Sequence, residues 1–181
     1  QPLFYGGYQE VGYRSGTENV PGIVGMGIAA DLARQEMTSR NEHLLFLRQK
    51  LWQGLEERVE YLHFTGHPVR RLPGHVSFWV EYAEGESLLL MLSLKEIATA
   101  SGSACSSNIR GEDEKDLAAS RVLNAIGVPS DICTGSLTLS LGKENTLEEV
   151  EYFLEVFPGI VKKLWEMSPF YSDAMKKNSA K

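Results

Sequence analysis

Hydrophobic and polar residues alternate most regularly in the stretch SLTLSL, residues 136–141, where every second residue is a leucine. Successive side chains of a β-strand point to opposite faces, so this stretch predicts a strand with one buried face and one polar face. Residues 61–65 and 75–81 are rich in aromatic and β-branched side chains and predict two further strands, separated by the turn-forming residues 66–74. Residues 97–100 predict one more short strand.

Apolar residues recur at helical spacing before these strands. A helix is predicted from Asn19, with Pro21 in its first turn. Thr38 and Ser39 then interrupt the pattern. Because Ser39 and Glu42 form a capping-box sequence, a second helix is predicted to begin there, with its leucines on one face against a core.

Shorter helices are predicted at residues 86–94 and 118–126. A second capping box, Thr146 with Glu149, predicts the start of a helix that Pro158 should kink or interrupt, because proline removes an interior hydrogen bond. The polar tail, residues 172–181, is expected to be frayed. Together these elements predict an α+β fold in which helices pack on a mixed or antiparallel sheet.

Composition excludes several classes of function. The 181 residues carry 18 Lys and Arg against 24 Asp and Glu, a net charge of −6, and the basic residues are scattered, so we expect no nucleic-acid partner. No apolar run approaches the roughly 20 residues that span a bilayer. Two cysteines make no disulfide framework, which favours a reducing, cytoplasmic location. The chain begins with Gln1, and we expect it to be part of a longer protein.

Cys105 is the clearest candidate for chemistry. It lies in TASGSACSSN, residues 99–108, among small side chains that favour a loop, whereas a structural thiol is normally surrounded by large apolar residues. An accessible loop thiol can act as a nucleophile once it is deprotonated. An ordinary loop cysteine without a role remains the alternative on these grounds alone.

Five short motifs together resemble the C-terminal half of the cysteine desulfurases, which are pyridoxal-phosphate enzymes of the class V aminotransferase type. They occur in the family's order and extend over most of the chain, which makes the resemblance more specific than any single motif. The motifs are GGYQE (6–10), RSGTENVP (14–21), EGES (84–87), SGSACSS (101–107) and SLG (140–142).

This resemblance implies a fold and a reaction. Residues 1–37 would be the trailing edge of the cofactor-binding large domain, and residues 38–181 the small C-terminal domain of a fold type I transferase. Cys105 would take sulfur from L-cysteine as a persulfide and pass it to an acceptor or scaffold protein, for iron–sulfur or other sulfur metabolism. Thr17 would donate to the cofactor phosphate of a partner subunit, which implies a homodimer.

The chain departs from the family pattern in three ways. No lysine lies in a motif that matches the family's cofactor lysine; the lysines considered are Lys50, Lys95, Lys115 and Lys143. Thr138 stands where the family has an arginine that pairs with the substrate carboxylate. A hydroxyl cannot replace a guanidinium fork, so substrate recognition is in question. An acidic run, residues 111–116, extends the loop after Cys105 and is predicted to be a solvated surface.

These departures leave a second hypothesis open, namely a non-enzymatic domain on the same scaffold that relays persulfide sulfur or serves in dimerisation and partner docking. No metal site is expected, because His63 and His67 lie on a strand and a turn and do not share a helical face. The remaining unusual side chains are predicted to be structural: His75, Cys133, Trp52, Trp79 and Trp165.

Overall fold

The computed structural model describes residues 1–101, 121–128 and 135–179. Within these ranges the chain forms helices and a small sheet, as the α+β prediction requires. The helices are α1 (Val20–Arg58), α2 (Gly85–Ser93), α3 (Arg121–Ala125), α4 (Leu147–Met167) and α5 (Pro169–Ser179). The strands are β1 (Leu62–Phe64), β2 (His75–Val80) and β3 (Ser136–Ser140).

The sheet is antiparallel throughout, in the order β1-β2-β3. All three predicted strands that form it are confirmed, although β1 is shorter than expected. The fourth, at residues 97–100, is reduced to a single bridge between Ala100 and Thr138. The predicted helices at 86–94 and 118–126 are also confirmed within the described residues, as α2 and α3.

The chain divides into two compact units, Gln1–Arg40 and Asn41–Lys181. In the first unit most large apolar side chains are exposed, including Ile23 at 60% and Met26 at 76%. The division of the chain at residues 37 and 38 inferred from the family resemblance stays a prediction. No helix in the described ranges is both long enough and apolar enough to cross a membrane.

The core of the second unit lies between one face of the sheet and three helices. Alternation in β2 and β3 places one set of side chains against the core, as predicted from the SLTLSL pattern. Helices α1, α2 and α4 contribute buried side chains to it, those of α2 being Leu88 and Leu92. The buried cluster includes Val76, Phe78, Val80, Leu137 and Leu139 from the sheet, Leu47, Leu51 and Leu55 from α1, and Phe153, Phe157 and Val161 from α4.

The predicted break at Ser39 is wrong, because α1 runs without interruption from Val20 to Arg58. The Ser39 hydroxyl donates to the Glu36 carbonyl inside the helix, at 3.1 Å, and therefore does not act as a cap. Glu36 and Arg40 also form an ion pair one turn apart, which supports helix across the same position.

The capping box at the start of α4 is confirmed. The Glu149 backbone N–H donates to the Thr146 hydroxyl at 3.4 Å, and the Thr146 N–H donates to the Glu149 carboxylate at 3.0 Å. The Asn145 amide donates to the same carboxylate at 2.8 Å. These hydrogen bonds, that of Asn145 first, lower the pKa of the Glu149 carboxyl.

Pro158 does not interrupt α4, contrary to the prediction. Proline cannot donate to the carbonyl four residues earlier, that of Leu154. Arg58, in the last turn of α1, donates to this carbonyl from Nη1 at 3.0 Å. The two helices approach closely here, because a side chain on Gly54 would overlap Leu154. A tertiary contact therefore satisfies the acceptor that proline leaves open.

Replacing Arg58 by methionine is expected to destabilise the second unit by about 1–2 kcal/mol, since the Leu154 carbonyl loses its donor while the aliphatic contact is kept. Chemical denaturation of the two proteins measures the difference. Arg34→Met is the matched control, because Arg34 is 74% exposed and, within the described part of the chain, bonds only to its helical neighbour Asp31. Equal effects of the two substitutions would contradict the assigned role of Arg58.

The C-terminal tail is helical through Ser179, where a frayed end was expected. An aromatic cluster holds the start of α5. Trp165 stacks on Tyr171 with ring centroids 5.0 Å apart, and Tyr82 meets Tyr171 edge to face at 5.9 Å. The Trp165 indole N–H donates to the Glu81 carbonyl at 2.7 Å, which ties the end of α4 to the end of β2.

Candidate functional site

The residues predicted to form the site fall in different parts of the chain. Cys105 lies outside the described residues, as do Cys133 and the acidic run 111–116. Thr17 belongs to the first compact unit and Thr138 to the second.

Thr17 is exposed directly before α1. Its hydroxyl forms no hydrogen bond with a described residue, whereas its carbonyl accepts from Arg14 at 3.4 Å. Asn19 caps the helix, because its side-chain oxygen accepts from the Gly22 N–H at 3.1 Å. The hydroxyl therefore remains available to an anion beside a helix N-terminus, where negative charge is favoured.

The turn that presents Thr17 is fixed by its own side chains. The Ser15 hydroxyl is within hydrogen-bond distance of two carbonyls, those of Phe4 at 3.1 Å and Gly7 at 3.0 Å. The Gln9 side chain accepts from the Gly16 N–H at 3.2 Å. The GGYQE and RSGTENVP motifs are thus joined in one structure, and the Ser15 and Gln9 side chains are occupied in shaping it.

Thr138 lies at the centre of β3 on the polar face of the sheet. It is opposite Ser77 of β2 on one side. On the other side it exchanges two backbone hydrogen bonds with Ala100, at 2.8 and 3.2 Å. Its hydroxyl forms no hydrogen bond with a described residue.

Hydroxyl groups dominate the surroundings of Thr138. The Thr65 hydroxyl donates to that of Ser77 at 2.7 Å, so a row of three hydroxyl residues crosses the sheet from Thr65 to Thr138. The three strands contain neither lysine nor arginine. This face can exchange hydrogen bonds with a ligand, but its strands offer no permanent cation to a carboxylate.

A histidine–carboxylate pair occupies one end of the same face and was not predicted from the sequence. His63 donates from Nε2 to Glu81 at 2.7 Å, and its ring stacks on Trp79 at 4.3 Å between centroids. Trp79 is 7% exposed and packs against Leu123 of α3. Only the register of β1 and β2, which pairs His63 with Trp79, could have indicated this cluster in advance.

Metal-binding chemistry has no support in the described ranges, which contain no group of three or more His, Cys, Asp or Glu side chains able to hold an ion.

The sequence pattern of the class-V aminotransferases matches residues 6–153. The chain belongs to the class-V aminotransferase family. The match includes the RSGTENVP motif, the hydroxyl row of the sheet and the segment that contains Cys105.

Curated members of this family are similar over nearly the whole chain. The cysteine desulfurase IscS of Methanosarcina thermophila is 51% identical over 168 residues, which are 93% of this chain and 40% of the relative. The cysteine desulfurase IscS of Clostridium botulinum strain Hall is 44% identical, over 100% of this chain and 44% of the relative. The chain therefore spans less than half the length of the curated relatives it matches.

Solved structures agree with the assignment to the class-V aminotransferase family. A NifS-like protein superposes with a TM-score of 0.72 at 34% identity, covering 90% of this chain and 39% of that protein. A NifS-like protein from Rickettsia africae gives 0.73 at 27% identity, covering 90% of this chain and 40% of that protein. The predicted fold class, an α+β domain of a fold type I transferase, is confirmed.

One feature of the described chain fits a pyridoxal-phosphate cofactor. The free hydroxyl of Thr17, next to the start of a long helix, is suited to a phosphate oxygen. The polar face around Thr138 is suited to neutral hydrogen-bonding groups, because no cation lies on its strands.

Proposed function

We propose that this chain is the C-terminal part of a pyridoxal-phosphate-dependent cysteine desulfurase. The observation that carries the proposal is the class-V match over residues 6–153, within which Cys105 is flanked in sequence by small residues. The relatives named cysteine desulfurase support the substrate, L-cysteine. In the same proposal the enzyme works in the cytoplasm and supplies sulfur to an acceptor protein.

Cys105 is the nucleophile in this proposal. Its thiolate forms a sulfur–sulfur bond with the substrate thiol sulfur, while the substrate carbon–sulfur bond breaks and its electron pair stays with carbon. The carbon then takes up a proton, and alanine leaves. Pyridoxal phosphate, when bound, supplies the electron sink that makes this bond cleavage accessible. The persulfide on Cys105 is the form in which sulfur reaches an acceptor.

Chain connectivity supports a role for Thr138 beside Cys105. Ala100 is fixed next to Thr138 by two backbone hydrogen bonds. Cys105 follows five residues later, and an extended chain covers at most about 3.6 Å per residue, so its Cα lies within roughly 18 Å of that of Ala100. We infer that Thr138 contacts the substrate as a neutral hydrogen-bonding group.

Thr17 serves the cofactor in this proposal. Its hydroxyl donates to a phosphate oxygen, and the adjacent N-terminus of α1 adds a favourable field. If that cofactor belongs to a second subunit, as the family resemblance implies, the enzyme is a homodimer. Arg14 does not compete for this role, because its guanidinium is turned back onto the Gly16 carbonyl and Glu18.

The proposed activity is tested by supplying the full-length protein with pyridoxal phosphate and L-cysteine and measuring alanine release. The Thr138→Arg variant tests the proposed contact between Thr138 and the substrate. Thr138→Arg is expected to lower the KM for cysteine roughly tenfold or more, because an arginine can pair with the substrate carboxylate. Its neighbours Ser77 and Ala100 are small, which leaves room for a longer side chain.

Ser140→Arg is the matched control, since Ser140 lies on the same face of β3, two residues further on. It should leave KM unchanged. An unchanged or raised KM in Thr138→Arg would show that the carboxylate binds elsewhere, and absence of alanine from the full-length protein would overturn the desulfurase proposal.

A persulfide relay is the second candidate function, and the lack of lysine and arginine in the three strands around Thr138 favours it. In that case the 181-residue chain, without any cofactor, should accept sulfur on Cys105 from a persulfide donor. Intact mass spectrometry detects the added sulfur, and Cys105→Ala should abolish the addition. Alanine release by the full-length protein would decide in favour of the enzyme.

A further inference from the structure

Residues 66–74, referred to below as the arginine turn, lie between β1 and β2 and have no regular secondary structure. The His67 ring accepts hydrogen bonds at Nδ1 from the backbone N–H groups of Val69 and Arg70, both at 3.0 Å. One side chain therefore fixes the first half of the turn.

Two arginines fix the second half of the arginine turn. Arg71 donates from Nη2 to the Thr65 carbonyl at 2.5 Å and lies over the ring of Trp52, 5.3 Å from its centroid. Arg48 of α1, only 8% exposed, donates from Nη1 to the Leu72 carbonyl at 3.1 Å. The turn is thus held against α1, and its shape is set before any partner arrives.

The positive charge of this region is not neutralised. Among the described residues, Arg48, Arg70 and Arg71 form no ion pair with a carboxylate. Arg71 also keeps two buried nitrogens, Nε and Nη1, without an acceptor in this part of the chain. Such unsatisfied donors are costly, and like charges held close together in a desolvated site add to that cost.

The directions of two pKa shifts agree with this geometry. Burial, and after it the charge of Arg48, lowers the pKa of Arg71. Burial, and after it the charge of Arg71, lowers the pKa of His75 at the end of the turn. A carboxylate brought to this surface would therefore meet arginine charges that no carboxylate of the described ranges offsets.

The outer side of the arginine turn combines apolar and cationic groups. Val69 and Leu72 are each 74% exposed, and Arg70 and His67 are also exposed. The chain as a whole carries a net charge of −6. A cationic turn whose arginines pair with no described carboxylate is therefore a local exception to the acidic character of the chain. A preformed surface of this kind complements a segment that carries both carboxylates and apolar side chains.

We propose that the arginine turn is a docking surface for an acidic segment of another protein, in which a carboxylate pairs with Arg70 and apolar side chains cover Val69 and Leu72. The proposal does not depend on the sulfur chemistry of Cys105, and either can fail without the other.

A short synthetic peptide rich in glutamate, with interspersed leucines and a fluorescent label, is the probe. Its binding to the 181-residue chain is followed by anisotropy. Arg70→Gln is expected to weaken binding at least about tenfold, because it removes a charge-assisted hydrogen bond from an exposed position that does not shape the fold. Leu72→Ser, which keeps the carbonyl that Arg48 binds, should weaken it as well.

Lys163→Gln is the matched control, since it removes the same charge from an exposed, unpaired position on α4. It should leave binding unchanged. Equal loss in Lys163→Gln and Arg70→Gln, or no binding of the peptide, would overturn the proposal. Equal binding of a leucine-free glutamate peptide would also overturn the proposal. The same holds if inorganic phosphate displaces the labelled peptide at constant ionic strength, because either result would indicate a site for small anions alone.

Discussion

Replacing Cys105 by alanine is expected to reduce alanine release by the full-length protein at least about a thousandfold, because the step that cleaves the carbon–sulfur bond loses its nucleophile. The substrate sulfur then has no thiolate to attack it, and no other group of the chain is proposed to take its place. Cofactor binding should be unaffected, since the thiol acts only on the substrate.

Two measurements separate this prediction from a structural effect. Alanine production is followed over time, and the cofactor content of the same sample is read from its visible absorbance. Cys133→Ala is the matched control, because it removes the only other thiol of the chain, and it should release alanine at the wild-type rate. Alanine release that survives in Cys105→Ala would remove Cys105 from the mechanism.

The second large effect is expected from Phe78→Ala, at about 3–5 kcal/mol of unfolding free energy. Phe78 is fully buried at the centre of β2. Its ring meets Phe157 of α4 at 5.6 Å and Phe64 of β1 at 6.1 Å, both edge to face. Alanine would leave a cavity between the sheet and α4, which removes these contacts together with the transfer free energy of the ring.

Chemical denaturation followed by tryptophan fluorescence measures the loss, because Trp79 and Trp165 are both buried in the same unit. Phe170→Ala deletes the same side chain at a position that is 67% exposed, and it should change stability by no more than about 0.5 kcal/mol. Similar losses in the two variants would mean that Phe78 is not central to the core.

Local signals accounted for much of the fold. The alternation in residues 136–141 predicted both the strand and its buried leucines, because strand geometry alone assigns alternate residues to opposite faces. Thr146 and Glu149 predicted the start of α4, since a capping box is satisfied within one turn. Gly127 follows α3 with φ of +87°, a left-handed conformation that glycine adopts readily after the last turn of a helix.

Two local signals led to wrong predictions elsewhere. Ser39 has the sequence of a helix cap, yet its hydroxyl is satisfied inside α1. Pro158 has the sequence of a helix break, yet Arg58 supplies the donor that the Leu154 carbonyl lacks. The contact of Ser39 is local, with Glu36 three residues earlier. The outcome at Pro158 could not be predicted from neighbouring residues, because Arg58 and Leu154 are 96 positions apart.

The candidate site likewise combines features suggested by the sequence with features that only the structure shows. The motifs around Thr17 and Cys105 suggested roles from the sequence alone, and those roles stay predictions. Only the strand register placed Thr138 between Ser77 and Ala100 and brought His63 onto Trp79.

The sequence by itself determined the three strands of the sheet and the helices α2, α3 and α4, because their signals depend on side chains within a turn or a strand of one another. Its motifs also indicated the family and the candidate residues Thr17, Cys105 and Thr138. The tertiary structure decided which helices continue, which charges remain unpaired in the arginine turn, and which polar groups share a face of the sheet. Those outcomes depend on hydrogen bonds and burial between residues far apart in the chain, and the sequence order of such residues does not specify their distance in space.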